Sequence, residues 1–181
     1  MTILLVILAI ILATFLLTVL FGAPYVPSLR DSIENSFTKL YRLSSKDTLI
    51  DIGSGDGTVL RHAAKKGATA IGYEINPVLF LISKILCLRY PKAKVHLKNF
   101  MHVEFPPDTT VVYVFGVDHI MPKIYDKVHD FARTHNRSIY LISLGFEVEN
   151  QKPLRRSKAT FLYKVSPYRR SKSAFLYEVS P

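Results

Sequence analysis

Hydrophobic residues are distributed along this chain in two different ways. Residues 2–21 form an uncharged and almost entirely apolar run, whereas beyond residue 47 short apolar runs alternate with segments whose apolar residues recur at helical spacing. The short runs predict strands near 48–53, 69–74, 93–98, 110–116 and 137–144. The segments between them predict helices near 57–66, 77–90 and 120–134. This alternation is typical of an α/β protein with a doubly wound, mainly parallel sheet, which binds its ligand at the carboxyl ends of the strands.

The apolar run at the amino terminus predicts a transmembrane helix, because about 20 apolar residues suffice to cross a bilayer. A cleavable signal peptide is the alternative, but it needs a basic start and a small-residue cleavage site. No Lys or Arg precedes the run, and the Phe-Gly-Ala-Pro sequence at its end is a poor cleavage site. The first basic residue, Arg30, lies after the run. We therefore expect a single-pass membrane protein with its amino terminus outside and its domain on the cytoplasmic side.

The chain then divides into an anchor at 1–22, a connecting segment at 23–47 and a domain at 48–181. In the connecting segment, apolar residues at helical spacing predict a helix with one apolar side; they are Ile33, Phe37, Leu40 and Tyr41. We expect this helix to pack on the domain.

A glycine-rich turn follows the first predicted strand. Residues 51–57 read Asp-Ile-Gly-Ser-Gly-Asp-Gly, and Glu74 ends the second predicted strand. Such a turn lets the backbone approach a nucleoside, while an acid at the next strand end can accept hydrogen bonds from a ribose. Thr58 stands where a dinucleotide motif has its third glycine, and Asp56 disfavours a pyrophosphate. The turn therefore favours the cationic methyl donor S-adenosyl-L-methionine, with a dinucleotide site or a purely structural turn as alternatives.

The charge and cysteine content narrow the function classes. The formal net charge of +10 suits an anionic membrane surface, and it also suits nucleic acid or an acidic partner. A single cysteine, Cys87, excludes an internal disulfide, and we expect it to be a core residue of a helix. No Cys/His cluster has the spacing of metal ligands, so no metal site is expected.

The carboxyl-terminal part carries a 14-residue duplication. Residues 154–167 and 168–181 are nearly identical, and each copy predicts one strand, near 160–165 and 174–179. One hypothesis is that the two copies pair as an antiparallel hairpin at the edge of the sheet. The alternative is that one copy joins the sheet and the other is a basic tail.

Several segments occur in an order that resembles a known family. They are Pro-Tyr-Val-Pro at 24–27, the glycine turn at 51–57, Gly-Tyr-Glu-Ile-Asn-Pro at 72–77 and Val-Phe-Gly-Val at 114–117. Together with the apolar run before them, they resemble the membrane-anchored protein lysine methyltransferases that modify the ATP synthase c subunit and the adenine nucleotide translocase, and their prokaryotic relatives. The resemblance extends over about residues 24–123 and implies a Rossmann-like class I methyltransferase fold.

The chain departs from this family pattern in three places. Asn99-Phe100-Met101 stands where the family usually has Asp-Leu-Trp, and Asp118-His119 stands where a proline is usual. The carboxyl end is shorter and duplicated. The second departure lies where the methyl acceptor is expected to enter.

The resemblance implies a donor site made by two strand ends and the loops that follow. Glu74 would hold the ribose hydroxyls, Asp56 the ammonium of the donor and Asn99 the adenine edge. The full set of residues expected at the donor is Asp51, Gly53, Ser54, Gly55, Asp56, Gly57, Glu74, Ile75, Asn76, Asn99 and Phe100.

On the acceptor side, a partly apolar entrance would lower the pKa of an incoming lysine. The residues expected to line this entrance are Tyr25, Phe115, Val117, Asp118 and His119. His119 is a candidate base, and an exposed loop histidine is the alternative. Asp118 would steer a cationic substrate.

These observations predict a membrane-tethered methyltransferase acting on a protein lysine near the membrane surface. A methyltransferase of a lipid, quinone or other small amphiphile is one alternative, and a non-catalytic donor-binding membrane scaffold is another. A nucleic-acid substrate is not expected, because the Asn/Asp-Pro-Pro-aromatic motif of base-modifying enzymes is absent after the fourth predicted strand.

Overall fold

A computed structural model describes residues 2–21, 30–116 and 118–168 of this protein. The helices are α1 (Thr2–Phe21), α2 (Arg30–Asn35, continued by a π-helical turn, Ser36–Leu40), α3 (Thr58–Lys65), α4 (Pro77–Cys87) and α5 (Met121–Thr134). The strands are β1 (Thr48–Ile52), β2 (Thr69–Glu74), β3 (Ala93–Leu97), β4 (Val111–Phe115), β5 (Ile139–Leu144), β6 (Arg155–Ser157) and β7 (Thr160–Val165). Short 3-10 turns occupy Phe100–His102 and Asp118–Ile120.

The seven strands form one sheet in the order β3-β2-β1-β4-β5-β7-β6. Among the described strands, β1 to β5 are parallel to one another, and β7 runs antiparallel to its two neighbours, β5 and β6. The predicted mainly parallel sheet is therefore confirmed. Because the strand order reverses between β1 and β4, the carboxyl ends of these strands open a crevice where ligands of such folds bind.

Side-chain alternation along β4 explains how the sheet is covered on both sides. Val111 and Tyr113 belong to the apolar layer under α2, α3 and α4, whereas Val112 and Val114 belong to the layer under α5. All four side chains are buried, as expected for a central strand with helices on both faces. Burial of large apolar side chains on both faces supplies most of the stabilisation of the domain.

The connecting helix packs on the domain as predicted. Ile33, Phe37 and Leu40 are buried in the first layer, and the Phe37 ring meets Tyr113 edge to face. After this helix, Tyr41 donates a hydrogen bond of 2.6 Å to the Asp47 carboxylate, which also accepts bonds from Ser44 and Thr110. Burial and the bond to Asp47 raise the pKa of the Tyr41 hydroxyl.

The first copy of the duplication already contains two paired strands. Strands β6 and β7 form an antiparallel hairpin inside residues 154–167, turning at Lys158, whose φ is 51°. The predicted strand at 160–165 is confirmed, but β7 is flanked by β5 on one edge and by β6 on the other. The first copy thus forms a hairpin by itself, and both edges of β7 are paired within the described residues. Whether the second copy adds to the sheet or is a basic tail stays a prediction. The strand predicted at 174–179 lies outside the described residues.

Helix α1 contains no charged residue in either its first or its last turn. The side chains of α1 are described for residues 2–13. Within the described part of the chain, we find no helix that combines the length and the apolarity needed to cross a membrane. The anchor predicted at 1–22 stays a prediction.

Candidate active site

The predicted glycine turn connects β1 to α3 at the carboxyl edge of the sheet. Gly53, Gly55 and Gly57 have φ values of 71°, 54° and 76°, which residues other than glycine adopt only with strain. The amides of Gly53 and Ser54 donate to the Tyr73 carbonyl at 3.0 and 3.2 Å, which ties the turn to β2. A methyl group added at Gly53 would meet no atom within 4 Å. Open space therefore lies beside the turn, where a ligand can approach the backbone.

The third glycine has a packing role. Gly57 is the N-cap of α3, and a side chain there would collide with the hydroxyl of Ser83, a fully buried residue of α4. The absence of a Cβ at this position lets the start of α3 and the middle of α4 come close together. Ser83 was not among the residues predicted from the sequence, because nothing local distinguishes it from other small polar residues.

Glu74 is the residue that holds the turn in place. Its carboxylate is buried, and Oε2 accepts a hydrogen bond of 2.8 Å from the Gly55 amide. Oε1 accepts two more bonds, from the amides of Ile75 and Asn76 at 2.9 and 2.8 Å. An ionised carboxylate has about four acceptor positions, so one remains for a ligand hydroxyl. The Glu74 carboxylate therefore binds three backbone amides, and the predicted hydrogen bond from a ribose hydroxyl would use its remaining acceptor position.

Asp51 is the acid of the site whose carboxyl group has an unsatisfied oxygen within the described part of the chain. The residue is only 2% exposed, and its Oδ2 has no hydrogen-bond partner among the described residues. Burial, and then the charges of Glu74 and Asp56, raise the pKa of the Asp51 carboxyl well above its usual range. A buried acid beside two other acids favours a positively charged ligand, because a cation relieves both the desolvation and the repulsion. The ammonium and sulfonium groups of S-adenosyl-L-methionine fit this requirement.

Asp56 has protein partners of its own. Its carboxylate accepts hydrogen bonds from the Thr58 amide at 3.0 Å and the Thr58 hydroxyl at 2.8 Å, and it pairs with Arg61 at 3.5 Å. Arg61 also donates to the Asp56 carbonyl at 2.6 Å. Asp56 thus caps the first turn of α3, a position where a negative charge is favourable. Because its charge is partly neutralised, Asp56 disfavours a pyrophosphate less strongly than the sequence suggested.

The remaining predicted donor residues follow β2 and β3. Asn76 is buried and caps α4, accepting bonds from the amides of Val78 and Leu79, while the Ile75 side chain is 47% exposed. Asn99 is exposed after β3, and its side-chain oxygen accepts from the Met101 amide at 3.0 Å. The predicted bond from this oxygen to adenine would use its second lone pair.

On the acceptor side the described residues are few. Phe115 is half-buried at the end of β4, close to Gly145 after β5. Asp118 and His119 are exposed in the 3-10 turn that precedes α5, which for His119 agrees with the alternative of an exposed loop histidine. Tyr25 and Val117 lie outside the described residues. Phe100, predicted at the donor, packs against the apolar layer under α5.

The ANTKMT methyltransferase domain family matches residues 51–155, which is more than half of the chain. The chain belongs to this family. The resemblance noted in the sequence is therefore confirmed, and with it the assignment to the class I S-adenosyl-L-methionine-dependent methyltransferases. The matched residues include the glycine turn, Glu74 and both strand ends that carry the predicted donor site.

Among known proteins, the chain is similar to the lysine N-methyltransferase of the ATP synthase c subunit from Homo sapiens. The two are 39% identical over 108 residues, which cover 58% of this chain and 45% of the human protein. The protein of the same description from Caenorhabditis elegans is 31% identical over 121 residues, covering 62% of this chain and 63% of its own length. The chain thus spans about half the length of the curated relatives that it matches.

Solved structures confirm the fold. An RNA methyltransferase from Salinibacter ruber in complex with S-adenosyl-L-homocysteine superposes with a TM-score of 0.73 at 19% identity, covering 81% of this chain and 98% of that one. The 23S rRNA methyltransferase ErmE gives a TM-score of 0.56 at 18% identity and covers 66% of this chain and 48% of its own.

Proposed function

We propose that this protein transfers methyl groups from S-adenosyl-L-methionine to the side-chain amine of a protein lysine close to a membrane. The observation that carries the proposal is the buried carboxyl of Asp51, whose Oδ2 has no hydrogen-bond partner among the described residues, beside the open glycine turn in a domain of a methyltransferase family. The lysine acceptor is supported by the relatives named above, which are described as lysine N-methyltransferases of the ATP synthase c subunit.

The donor side of the proposal follows from the chemistry of the turn. The donor supplies an electrophilic methyl group on sulfur with a good leaving group. The protein therefore has to align the donor and acceptor and exclude water. Gly53 leaves room for the donor beside the backbone, and Glu74 keeps one acceptor position for a ribose hydroxyl. A cationic group of the donor beside Asp51 would favour the ionised form of this carboxyl and so offset the burial that raises its pKa.

The acceptor side needs a neutral amine, because a protonated lysine has no free electron pair. An apolar entrance lowers the pKa of a lysine by disfavouring its charged form. Phe115 supplies part of such a surface at the end of β4, and Tyr25 is expected to supply more. The exposed Asp118 attracts the cation before it is desolvated. We propose this desolvation, rather than proton removal by His119, as the route to the neutral amine.

The membrane part of the proposal places α1 in the bilayer, with the domain on the cytoplasmic side and the amino terminus outside. It is supported by the sequence alone, namely the uncharged and almost entirely apolar run at residues 2–21 and the net charge of +10. A target lysine would then lie on a membrane protein, near the surface of the bilayer.

The test is to incubate the purified full chain with methyl-labelled donor and isolated membranes, and to separate protein, lipid and RNA before counting. We expect label in a small membrane protein and its recovery as methyllysine after hydrolysis. Asp51→Asn should remove most of this label, whereas Glu149→Gln, an exposed change away from the turn, should leave it unchanged. Label in the lipid or RNA fraction would overturn the lysine acceptor, and no label in any fraction would favour a non-catalytic scaffold.

A further inference from the structure

Helix α4 has small residues on its buried side and large apolar residues on its exposed side, the reverse of most helices of soluble domains. Its fully or nearly fully buried side chains are Ser83 and Cys87, a small polar residue and a small thiol. Its large aliphatic side chains point to the outside. We call this set the outer face of α4; its members and their exposed fractions are Leu81 (57%), Ile82 (41%), Ile85 (66%), Leu86 (44%) and Leu88 (76%).

The five residues form one continuous surface. With 3.6 residues per turn, Leu81, Ile85 and Leu88 lie one above the other, and Ile82 and Leu86 lie beside them, so that the apolar arc covers about 160° of the helix. Contiguous exposed aliphatic surface of this kind is uncommon on soluble monomers and marks a site of interaction.

Packing within the domain explains why the inner side of α4 is small, but it does not explain the outer face. Ser83 lies against Gly57, where a larger residue on α4 would displace the start of α3. The fold therefore needs small residues facing inward at these positions. Among the described residues, no contact of the domain accounts for five large aliphatic side chains that face outward.

The charge around α4 indicates what covers the outer face. Residues 75–103 contain no Asp or Glu, and they contain five basic residues. Lys84, Arg89 and Lys92 are all exposed on or just after the helix. Aliphatic surface bordered by lysine and arginine is the pattern of helices that lie in the headgroup region of anionic membranes. A second copy of the chain would bring like charges together across the same surface.

The neighbouring helix α1 also indicates that a membrane covers the outer face of α4. This helix contacts α4, and its described side chains, residues 2–13, are exposed and uncharged. Two apolar surfaces of this chain therefore adjoin each other, and neither is covered by the rest of the described structure. We infer that the outer face of α4 lies in the surface of an anionic lipid bilayer, as an interfacial contact additional to α1. This inference rests on the proposed membrane location and specifies how the domain meets the bilayer.

The position of α4 connects this contact to the candidate active site. The helix begins at Pro77, directly after the Glu74–Asn76 segment that holds the glycine turn. A bilayer in contact with the outer face of α4 would therefore lie beside the donor site, and an acceptor lysine would be reached close to the headgroups.

The natural absence of tryptophan makes the inference directly testable. Ile85→Trp places a single reporter on the outer face of α4. Thr134→Trp is the matched control, an uncharged and exposed position at the end of α5 on the opposite side of the sheet. Each full-length variant is reconstituted with phosphatidylcholine/phosphatidylserine vesicles, with and without bromine on the acyl chains. Flotation of the vesicles measures attachment, and tryptophan quenching by bromine measures depth.

We expect both variants to float, and bromine to quench Ile85→Trp at least about twofold more than Thr134→Trp, with a blue-shifted emission only for Ile85→Trp. Floated protein with no quenching at Ile85→Trp, or with equal quenching of both variants, would overturn the interfacial contact while leaving the tether intact. Failure to float would overturn the tether itself. A concentration-dependent blue shift of Ile85→Trp without vesicles would show that a second copy covers the face, which also contradicts the inference.

Discussion

Replacement of Glu74 by alanine should destabilise the domain even without any ligand. The Glu74 carboxylate is buried and accepts three backbone hydrogen bonds, from Gly55, Ile75 and Asn76. Glu74→Ala leaves these three amides without their acceptor.

The magnitude follows from the number and type of these bonds. A hydrogen bond to a charged group contributes about 1.5–3 kcal/mol, and a donor left unsatisfied costs about 1–3 kcal/mol. Water can reach part of the opened turn, so we take the lower end for each bond and expect a loss of about 3–5 kcal/mol. Glu74→Gln keeps one oxygen for the amides of Ile75 and Asn76 but turns an amide toward Gly55. Its expected loss is about 2 kcal/mol.

Urea unfolding followed by far-ultraviolet circular dichroism measures these losses, with Glu149→Ala as an exposed control. The expected order of stability is wild type and Glu149→Ala together, then Glu74→Gln, then Glu74→Ala. Calorimetric titration of the donor, done where each variant is still folded, separates binding from folding. If Glu74→Ala unfolded at the same urea concentration as the wild type, the turn would not depend on this carboxylate and the reasoning would be refuted.

Three further outcomes are expected. Burial raises the pKa of Asp51 above its unfolded value of 3.8, so the folded protein holds this proton more tightly than the unfolded chain does. The free energy of unfolding should therefore fall as the pH rises from about 3.8 through the folded pKa of Asp51. Asp51→Asn should abolish this fall and weaken donor binding. Urea unfolding of both proteins at several pH values measures the fall, and the same pH dependence of stability in Asp51→Asn as in the wild type would contradict the prediction. Gly53→Ala should cost only about 1 kcal/mol of stability but much of the donor affinity, whereas Gly57→Ala should cost clearly more stability, because its methyl group collides with Ser83. Equal thermal shifts for the two alanine variants would argue against this packing. Tyr41→Phe should lower the free energy of unfolding by about 1–2 kcal/mol, since it removes a hydrogen bond to a carboxylate, and a value indistinguishable from the wild type in urea would contradict it.

The parallel part of the fold was predictable because its signals are local. Strands β1, β2, β4 and β5 are mostly apolar runs, and β3 alternates apolar and basic residues. The observed limits of all five strands lie within two residues of the predicted ones. The helix predicted near 77–90 starts at Pro77 as α4, where proline in the first turn and the Asn76 cap are typical of a helix start. In these segments the local pattern and the global fold agree.

Strand β6 was missed because its signal is not local. Its residues, Arg155-Arg156-Ser157, are polar and mostly exposed, and they become a strand only because β7 offers a free edge after a tight turn at Lys158. No periodicity in three polar residues can reveal this pairing.

The candidate site was predictable in position but not in the use of its acids. The sequence places three acids at adjoining strand ends, yet which one is satisfied by the backbone depends on the path of the turn in three dimensions. In the structure, Glu74 accepts hydrogen bonds from amides of the turn and Asp56 pairs with Arg61, whereas Oδ2 of Asp51 has no hydrogen-bond partner among the described residues. The Arg61 partner had a sequence signal, an arginine five residues after an acid at a helix start. The outward direction of the aliphatic residues of α4 had none, since an apolar helix is ordinarily read as a buried one.

The close contact between Gly57 and Ser83 restricts how this protein can diverge. Gly57 precedes the first residue of α3 and Ser83 lies within α4, with 25 residues between them in the sequence, yet the two are in close contact. Enlargement of either residue requires a compensating reduction or a shift at the other, and with glycine on one side no further reduction is available there. Descendants of this sequence should therefore retain both small residues together, or lose them together with a rearranged donor turn.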